Sequence, residues 1–348
     1  MSEWLDRTPA ATDSLARPSA AEDCAAIYDP ADHSLVLFGG KNDQNRNLSE
    51  LWRLDLDRRT WNRIQPVGEA PPPTEDHSLI YDPLGDRLIL FGGENGPTCN
   101  QVWSFEFKAR RWRSMADSTA PFREDHTAIF DSRGKRMVVF GGQVNGDDND
   151  DLWALNLDPQ SRTFEKWSRL AAEADHPGAR DDHVAVYDSL RNRMIVYGGW
   201  NKDAKEYLGD TWALDFASSA DSLARWHHVK TKWSHPPKRR HAVGVYDSRR
   251  DWLILYGGFG EEGYLNDVWA LVLGFDLWIN VTPGPQPRLD AQGIYDPAAG
   301  HLVLYGGDAR LPTKFHDLWE LQVDPGAPVE AMLKVVGSKH GDVPLAKP

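Results

Sequence analysis

The sequence predicts an all-β protein, a six-bladed β-propeller whose ring is closed by its N-terminal strand. The first observation is an apolar run that ends in an aromatic residue and Gly-Gly and occurs six times, at intervals of about 53 residues. The second is a Tyr-Asp or Phe-Asp pair before each run. The third is a set of tryptophans at two recurring positions after each Gly-Gly. Six copies of such a unit indicate small sheets arranged radially, each packed on its neighbours.

Each repeat begins with a hairpin of two short strands. The first strand ends at an acidic residue, namely Asp29, Asp82, Asp131, Asp188, Asp247 and Asp296. Turn residues such as DPLGDR and DSRGKR follow and are typical of hairpin loops. The second strand ends at Gly-Gly, whose second members are Gly40, Gly93, Gly142, Gly199, Gly258 and Gly307. A double glycine allows a sharp backbone turn and the close approach of a neighbouring ring.

Two further strands of each repeat carry tryptophan. The third strand holds Trp52, Trp103, Trp153, Trp212, Trp269 and Trp319, and the fourth holds Trp61, Trp112, Trp167, Trp226 and Trp278. Because each such side chain buries about 150–250 Å², we expect these rings to pack between blades. Two residues before each third-strand tryptophan stands an acid or amide, which we expect to be a turn or cap residue.

The N-terminus supplies the strand that the sixth repeat lacks. No tryptophan follows LWELQVDPG, whereas Trp4 in SEWLDRTP matches the fourth-strand segments WNRIQP and WINVTP. We therefore expect the N-terminal segment to pair with the last blade. Residues 329–336 are an alternative source of this strand, or an added outer layer.

One domain is expected over residues 1–336, followed by a flexible tail over 337–348. The predicted blades are 21–69, 70–119, 120–176, 177–234, 235–284, and 285–336 together with 1–10.

The recurring Gly-Gly, Tyr-Asp and spaced tryptophans resemble the kelch-repeat family over roughly residues 4–325. The resemblance implies that partners and ligands bind on the face formed by the loops between blades and the loops after Gly-Gly. It also implies that the chain is an adaptor-like binding module or, as in some relatives, an enzyme. In similar ubiquitin-ligase adaptors, arginines at such loops grip acidic motifs.

The composition of the chain excludes several classes of partner. The formal net charge of −13 repels phosphate backbones, so nucleic acid and anionic membranes are not expected partners. Two cysteines cannot form a disulfide framework. The N-terminus lacks the pattern of a secretory signal, and no run approaches the length of a membrane helix. We therefore expect a cytoplasmic protein that is a monomer.

Aligning the repeats on their aromatic-Asp pairs places ionisable residues around one axial funnel. Five residues before the aromatic residue stand Asp23, Asp76, Asp125, Asp182, His241 and Asp290. The next position holds Cys24, His77, His126, His183, Ala242 and Ala291. The position two residues before the first set holds Ala21, Thr74, Arg123, Arg180, Arg239 and Arg288. Cys24, Arg240 and His241 depart from the repeat. Such departures indicate a special role more strongly than a residue that recurs in every repeat.

Four arginines at equivalent points of consecutive blades have two interpretations. They either satisfy loop carbonyls and neighbouring blades or clamp a carboxylate or acidic peptide with their guanidinium groups. The second interpretation gives a ligand-binding set of Arg123, Arg180, Arg239, Arg288, Arg240, His241, Trp200 and Trp233.

The two tryptophans of that set lie outside the repeat pattern. Trp200 directly follows a Gly-Gly, and Trp233 lies in the segment between blades four and five. With Tyr207, Phe259 and Tyr264 on the same face, they favour stacking or cation–π contacts with a ligand. Packing of loop against loop is the alternative.

The histidines at matched positions suggest a third interpretation. His77, His126 and His183 are able to hold a divalent metal or act as acid/base groups. Alternatively, Cys24 pairs with His77 as nucleophile and base. No cofactor is predicted apart from such a metal. The acidic run from Asp147 to Asp151 lacks the order of a calcium loop and is expected to be a solvated turn.

The leading function is the binding of a protein, a peptide or a small polar ligand over the axial funnel. The alternative is an enzyme, similar to an isomerase, lyase or cyclase, that uses His77, His126 and His183 in the same funnel, with or without a metal.

Overall fold

The computed structural model describes residues 2–9, 17–19, 21–95, 99–115, 119–172, 175–216, 223–231, 234–309 and 314–323. Within these ranges it contains thirty strands and no helix, and therefore no helix that crosses a membrane. The predictions for Trp233, for the strand at 329–336 and for the tail at 337–348 lie outside the described residues.

Six antiparallel sheets of four strands form the blades. The innermost strands are Ala25–Asp29, Glu75–Asp82, Thr127–Asp131, Val184–Asp188, Val243–Asp247 and Gln292–Asp296. The second strands are Ser34–Phe38, Arg87–Glu94, Arg136–Phe140, Arg193–Asn201, Trp252–Tyr256 and His301–Tyr305. The third strands are Leu51–Asp55, Val102–Glu106, Leu152–Asn156, Glu206–Asp215, Asp267–Val272 and Leu318–Gln322. The outermost strands are Thr60–Ile64, Arg111–Ser114, Trp167–Arg169, Arg225–His228, Leu277–Pro283 and Glu3–Asp6.

Three pairs of two-residue strands extend the loops on one face. They are Ala21–Glu22 with Lys41–Asn42, Gln143–Val144 with Asp147–Asp148, and Phe259–Gly260 with Gly263–Tyr264. We call the face that carries the Gly-Gly loops and the connections between blades the upper face.

The innermost strands contact one another in a closed cycle around a single axis. Each one touches the innermost strand of the next blade, and the strand of blade six touches that of blade one. This cycle confirms the predicted six-bladed β-propeller.

The N-terminal segment closes the ring, as predicted. Glu3–Asp6 pairs antiparallel with Leu318–Gln322, and Trp4 lies opposite Leu321. Arg7 Nε also donates to the buried carboxylate of Glu320 at 3.1 Å, and Arg59 of blade one forms an ion pair with the same carboxylate. Main-chain pairing and a buried charge network therefore hold the two ends of the chain together.

Tryptophans of the outermost strands fill the gaps between blades. Each ring lies against the aromatic residue that precedes Gly-Gly in the preceding blade, with centroid distances of 4.6–5.3 Å. The pairs are Trp112–Phe38, Trp167–Phe91, Trp226–Phe140, Trp278–Tyr197, Trp4–Tyr256 and Trp61–Tyr305. Because the same pair recurs six times, the cores between blades follow directly from the repeat.

The double glycine is required by its neighbours as well as by its backbone. Gly39 and Gly40 have φ angles of +68° and +86°, which disfavour a residue with a side chain. A Cβ on Gly39 would lie 2.7 Å from Cε1 of His77 in the next blade. A Cβ on Gly40 would lie 2.5 Å from the carbonyl oxygen of Glu22. The predicted close approach of a ring is therefore made by a histidine.

Candidate functional site

The four equivalent arginines lie under the upper face. Every guanidinium nitrogen of Arg180, Arg239 and Arg288 donates within the fold, whereas Nε and Nη1 of Arg123 are buried without a described partner. Each of Arg123, Arg180, Arg239 and Arg288 is only 1 or 2% exposed. In Arg180, Nη1 and Nη2 donate to the two carboxylate oxygens of Asp210 at 2.8 and 3.0 Å. The same nitrogen Nη1 donates to the carbonyl of Gly198 at 3.0 Å. Arg239 and Arg288 repeat this pattern, whereas Arg123 reaches Asp151 through Nη2 alone.

This geometry favours the structural interpretation of the arginines over the guanidinium clamp. Each arginine is paired with an aspartate whose side chain is 16–30% exposed, so a partner on the upper face would have to displace that carboxylate to bind the arginine. Arg180, Arg239 and Arg288 thus bond to loop carbonyls and an acid of their own blade, and Arg123 bonds to the acid alone.

The acid that each arginine meets is the residue two before the third-strand tryptophan. In all six blades this residue accepts a hydrogen bond from the tryptophan Nε1, at 2.7–3.1 Å. In blades three to six it is an aspartate, and the arginine is present; in blades one and two it is Glu50 or Gln101, and the arginine position holds Ala21 or Thr74. The predicted turn residue is thus an acceptor shared by two side chains.

A second ring of residues surrounds the axis. Asp23, Asp76, Asp125, Asp182, His241 and Asp290 all have left-handed φ angles between 49° and 55°. Along this ring the amide of each residue from Asp76 to Asp290 donates to the carbonyl of the equivalent residue one blade earlier, at 3.0–3.3 Å. The left-handed conformation, which aspartate tolerates better than most residues, thus allows the blades to be joined at the axis.

The side chains of this axial ring also bond to one another. His241 donates from Nε2 to Asp182 at 3.0 Å and from Nδ1 to Asp290 at 2.6 Å. The chain continues with a hydrogen bond from the carboxyl of Asp125 to Asp182 and one from the carboxyl of Asp76 to Asp125. The ring lines a cavity of about 280 Å³ that opens on the axis.

The ring compensates much of its own charge. Although burial alone would lower it, the two bonded carboxylates hold the pKa of His241 well above its ordinary value. Burial, reinforced by the neighbouring acids, raises the pKa of Asp23, Asp76 and Asp125 well above the usual range. These directions favour a charged His241 between Asp182 and Asp290 and neutral carboxyl groups at Asp23, Asp76 and Asp125.

The three histidines of the matched positions point into separate gaps between blades. Each ring lies 5.0–5.5 Å from the phenylalanine that precedes Gly-Gly in the preceding blade. His126 Nε2 meets Ser78 Oγ at 2.8 Å, and His183 Nε2 meets Thr127 Oγ1 at 2.6 Å. Burial lowers the pKa of His77 to about 4 and that of His183 to about 3, so these imidazoles are neutral at pH 7.

Among the described residues, these three histidines are not close enough together to share one metal ion. Across the described ranges, two groups of three acids or histidines are close enough to share an ion, Asp23–His241–Asp290 and Asp23–Glu75–Asp76. Neither includes His77, His126 or His183. In the first group both nitrogens of His241 already donate to carboxylates, and in the second Glu75 is paired with Lys41 Nζ at 2.5 Å.

Cys24 does not have the surroundings of a nucleophile. It is buried, and burial, followed by the nearby charge of Asp23, raises the pKa of its thiol. A thiol with a raised pKa is protonated at neutral pH and reacts slowly. The ring of His77, its predicted partner, is packed against Phe38 and Gly39.

A row of half-buried aromatic side chains crosses blades four and five on the upper face. Trp200 lies 4.8 Å from Tyr207, Tyr207 lies 6.1 Å from Phe259, and Phe259 lies 5.1 Å from Tyr264, as centroid distances. The Cζ atom of Arg240 lies 5.6 Å from the centroid of Trp200. We call these five residues the aromatic surface.

The backbone explains why the aromatic surface is continuous. Trp200 pairs with Tyr207 in an extended hairpin of blade four, and Phe259 pairs with Tyr264 in a two-residue hairpin of blade five. Arg240 joins the two, since its amide and carbonyl exchange hydrogen bonds of 2.9 Å with Phe259. Arg240 precedes His241 of the axial ring, so the surface borders the mouth of the cavity.

One residue that the sequence analysis did not single out closes the upper face. Lys314 is buried, and its Nζ donates to the carbonyl of Asn42 and to Glu22 Oε1, both at 2.8 Å. It thereby ties the loop of blade six to blade one. A lone lysine in a polar loop carries no pattern that would have marked this role.

The chain is similar to known proteins over its repeats. The model of the KLHDC2/KLHL20/DRC7 Kelch-repeats domain matches residues 23–165 and 160–327. Adagio-like protein 3 of Oryza sativa subsp. japonica is 27% identical over 252 residues, which cover 68% of this chain and 38% of that protein. Kelch domain-containing protein 3 of Homo sapiens is 24% identical over 259 residues, covering 71% of this chain and 64% of that protein. The chain thus spans less than two thirds of the length of these relatives.

A solved structure shares the architecture at low sequence identity. The structure of YjhT superposes with a TM-score of 0.68 and 15% identity, covering 88% of this chain and 99% of that one. At this identity the likeness concerns the fold alone.

Proposed function

This chain belongs to the kelch-repeat family, and from that premise we propose that it is a protein-binding propeller whose partner docks on the aromatic surface of blades four and five. The observation that carries the proposal is the continuous row from Trp200 to Tyr264 with Arg240 beside it. Tryptophan, tyrosine and arginine are the side chains that dominate binding energy at protein interfaces.

The lining of the axial cavity is a reason to favour a protein partner rather than a small polar ligand. Small-molecule pockets are mostly apolar, with a few polar groups left to orient the ligand. Here the lining includes an imidazole and four carboxyl groups, of Asp76, Asp125, Asp182 and Asp290, that already bond to one another. A ligand entering the cavity would have to replace those bonds, whereas a partner on the aromatic surface leaves them in place.

The matched control lies on the opposite face. Phe275 sits in the hairpin between the third and fourth strands of blade five and is 63% exposed. Phe259→Asp places a charge inside the aromatic surface, while Phe275→Asp adds the same charge to the same blade away from it. Thermal unfolding of both variants first establishes that they are folded.

The test is quantitative affinity capture followed by measurement of affinity. Proteins from cells that express the chain are captured on immobilised wild type and on each variant, and a partner retained by wild type is titrated against all three. Phe259→Asp should weaken binding by about tenfold or more, as expected for a central interface residue, and Phe275→Asp should leave it unchanged. Equal binding by wild type and Phe259→Asp would remove the aromatic surface from the proposal.

A further inference from the structure

Two carboxyl groups from neighbouring blades face each other beside the aromatic surface. Asp148 belongs to the short strand Asp147–Asp148 of blade three, and Asp181 lies where the chain enters blade four. Their side chains are in hydrogen-bonding contact. Asp181 is only 1% exposed, so its carboxyl group is shielded from water.

One oxygen of each carboxyl group, Oδ2, has a donor from the protein, and the other, Oδ1, does not. Gln143 Nε2 donates to Asp181 Oδ2, and the amide of Lys202 donates to Asp148 Oδ2 at 2.6 Å. Both Oδ1 atoms are buried, and no described group donates to either of them. Two ionised carboxylates accept hydrogen bonds only, so this contact requires a proton on one of them.

We propose that Asp148 and Asp181 share one proton, and that this proton latches the hairpin of residues 143–148 in blade three to blade four. Loss of the proton leaves two negative charges in contact, one of them on the buried Asp181, and their repulsion favours separation of the hairpin from blade four. The latch stands on these contacts and holds whether or not the aromatic surface binds a partner.

The charged groups around the pair favour a protonated state up to neutral pH. Burial, followed by the charges of Asp182 and Asp148, raises the pKa of Asp181 to about 7, against the opposing charge of Arg240. Burial also raises the pKa of Asp148, where Lys202 opposes the increase and Asp203 adds to it. The latch therefore opens within the pH range in which proteins normally act.

The latch adjoins the aromatic surface through the backbone. The amide and carbonyl of Asp181 exchange hydrogen bonds of 3.1 and 3.0 Å with Trp200. Lys202 follows two residues later, and its side chain donates to the carbonyl of Gly146 in the same hairpin. Opening of the hairpin therefore removes support from the segment that carries Trp200.

The test is a carbon-13 titration of the aspartate carboxyl groups in the isolated protein. The resonance of Asp181 is the one that disappears in Asp181→Asn. We expect it to titrate with a midpoint of about 7 in the wild type. In Asp148→Asn the midpoint should fall by about one pH unit or more, because a neutral amide donates to the carboxylate and carries no charge. Asp147→Asn, an exposed neighbour in the same strand, should leave the midpoint in place.

Three results would overturn the latch. They are a wild-type midpoint below pH 5, a midpoint that Asp148→Asn does not move, and loss of the titration in millimolar calcium, which would place a cation between the oxygens. If Asp148→Asn does not fold, the wild-type titration with and without calcium still tests the latch. None of these measurements involves a partner, so failure of the latch and failure of the docking proposal are distinguishable.

Discussion

Arg239 holds Asp267 by two parallel hydrogen bonds, of 2.6 Å from Nη1 and 2.7 Å from Nη2. The same carboxylate accepts a hydrogen bond from Trp269 Nε1 at 2.7 Å, and Nη1 also reaches the carbonyl of Gly257 at 2.8 Å. One guanidinium therefore joins the Gly-Gly turn, the start of the third strand and the loop that enters the blade. The arginine is part of the frame on which the upper face is built.

Removal of this arginine should damage stability. Arg239→Ala removes a fully buried guanidinium and leaves Asp267, whose side chain is 25% exposed, without its cation, a loss that costs about 3 kcal/mol. We expect the free energy of unfolding, measured by urea denaturation at pH 7, to fall by this order.

The control for that prediction is an arginine that is itself exposed, with a partner as accessible as Asp267. Arg63 pairs with Glu50 at 3.0 Å, but its side chain is about half exposed. Arg63→Ala should lower stability by less than about 1 kcal/mol. Similar losses in the two variants would mean that Arg239 is not a buried structural group.

Closure of the ring should depend on Trp4. Its ring packs 5.3 Å from that of Tyr256, in the core between blades five and six. Because Trp4 is half-buried, Trp4→Ala should cost about 2–3 kcal/mol, somewhat less than for a fully buried tryptophan. Calorimetry should show a lower melting temperature, and Glu3→Ala, at an exposed position of the same strand, should leave it unaltered. An unchanged melting temperature in Trp4→Ala would contradict closure by this strand.

The contribution of His241 to stability should depend on pH. Its folded pKa is raised above the ordinary value, so the stability it supplies is present in full below about pH 6.5 and is lost as pH rises through the folded pKa. His241→Asn should therefore cost more unfolding free energy at pH 6 than at pH 9. The comparison is made by urea denaturation at the two pH values; a penalty that grows toward pH 9 would show that the folded imidazole is neutral.

The two cysteines should differ in reactivity. Cys24 is buried with a raised pKa, whereas Cys99 is partly exposed. Mass spectrometry after brief treatment of the folded protein with iodoacetamide at pH 8 should find Cys99 modified ahead of Cys24. Denatured protein should show both modified. Faster labelling of Cys24 in the folded state would reopen its role as a nucleophile.

The repeat pattern was sufficient for the fold because each element recurs in register. Strand positions, the cores between blades and the closure by Trp4 all follow from residue types that repeat six times. The same repetition explains why the arginines were ambiguous. Arginines that bind a ligand and arginines that bind a buried aspartate occupy the same position in a repeat. One signal did separate them: the position two before the third-strand tryptophan is aspartate only in the blades that carry the arginine.

The direction in which a side chain points could not be predicted from the sequence. The axial alignment put His77, His126 and His183 around the funnel, and they do border it. Their rings nevertheless turn into the gaps between blades, because Gly-Gly leaves space there and a phenylalanine offers its edge or face. The contact of Asp148 with Asp181 was also hidden, since it joins a hairpin of one blade to the entry of the next and follows no repeat.

The most direct measurement of the docking site is hydrogen exchange of the chain with and without its bound partner. Binding at the aromatic surface should slow exchange in the segments around residues 199–208 and 258–265. Exchange on the opposite face, around residues 189–192 and 274–276, should be unchanged. Protection confined to that opposite face, with the aromatic segments exchanging as in the free protein, would contradict the account.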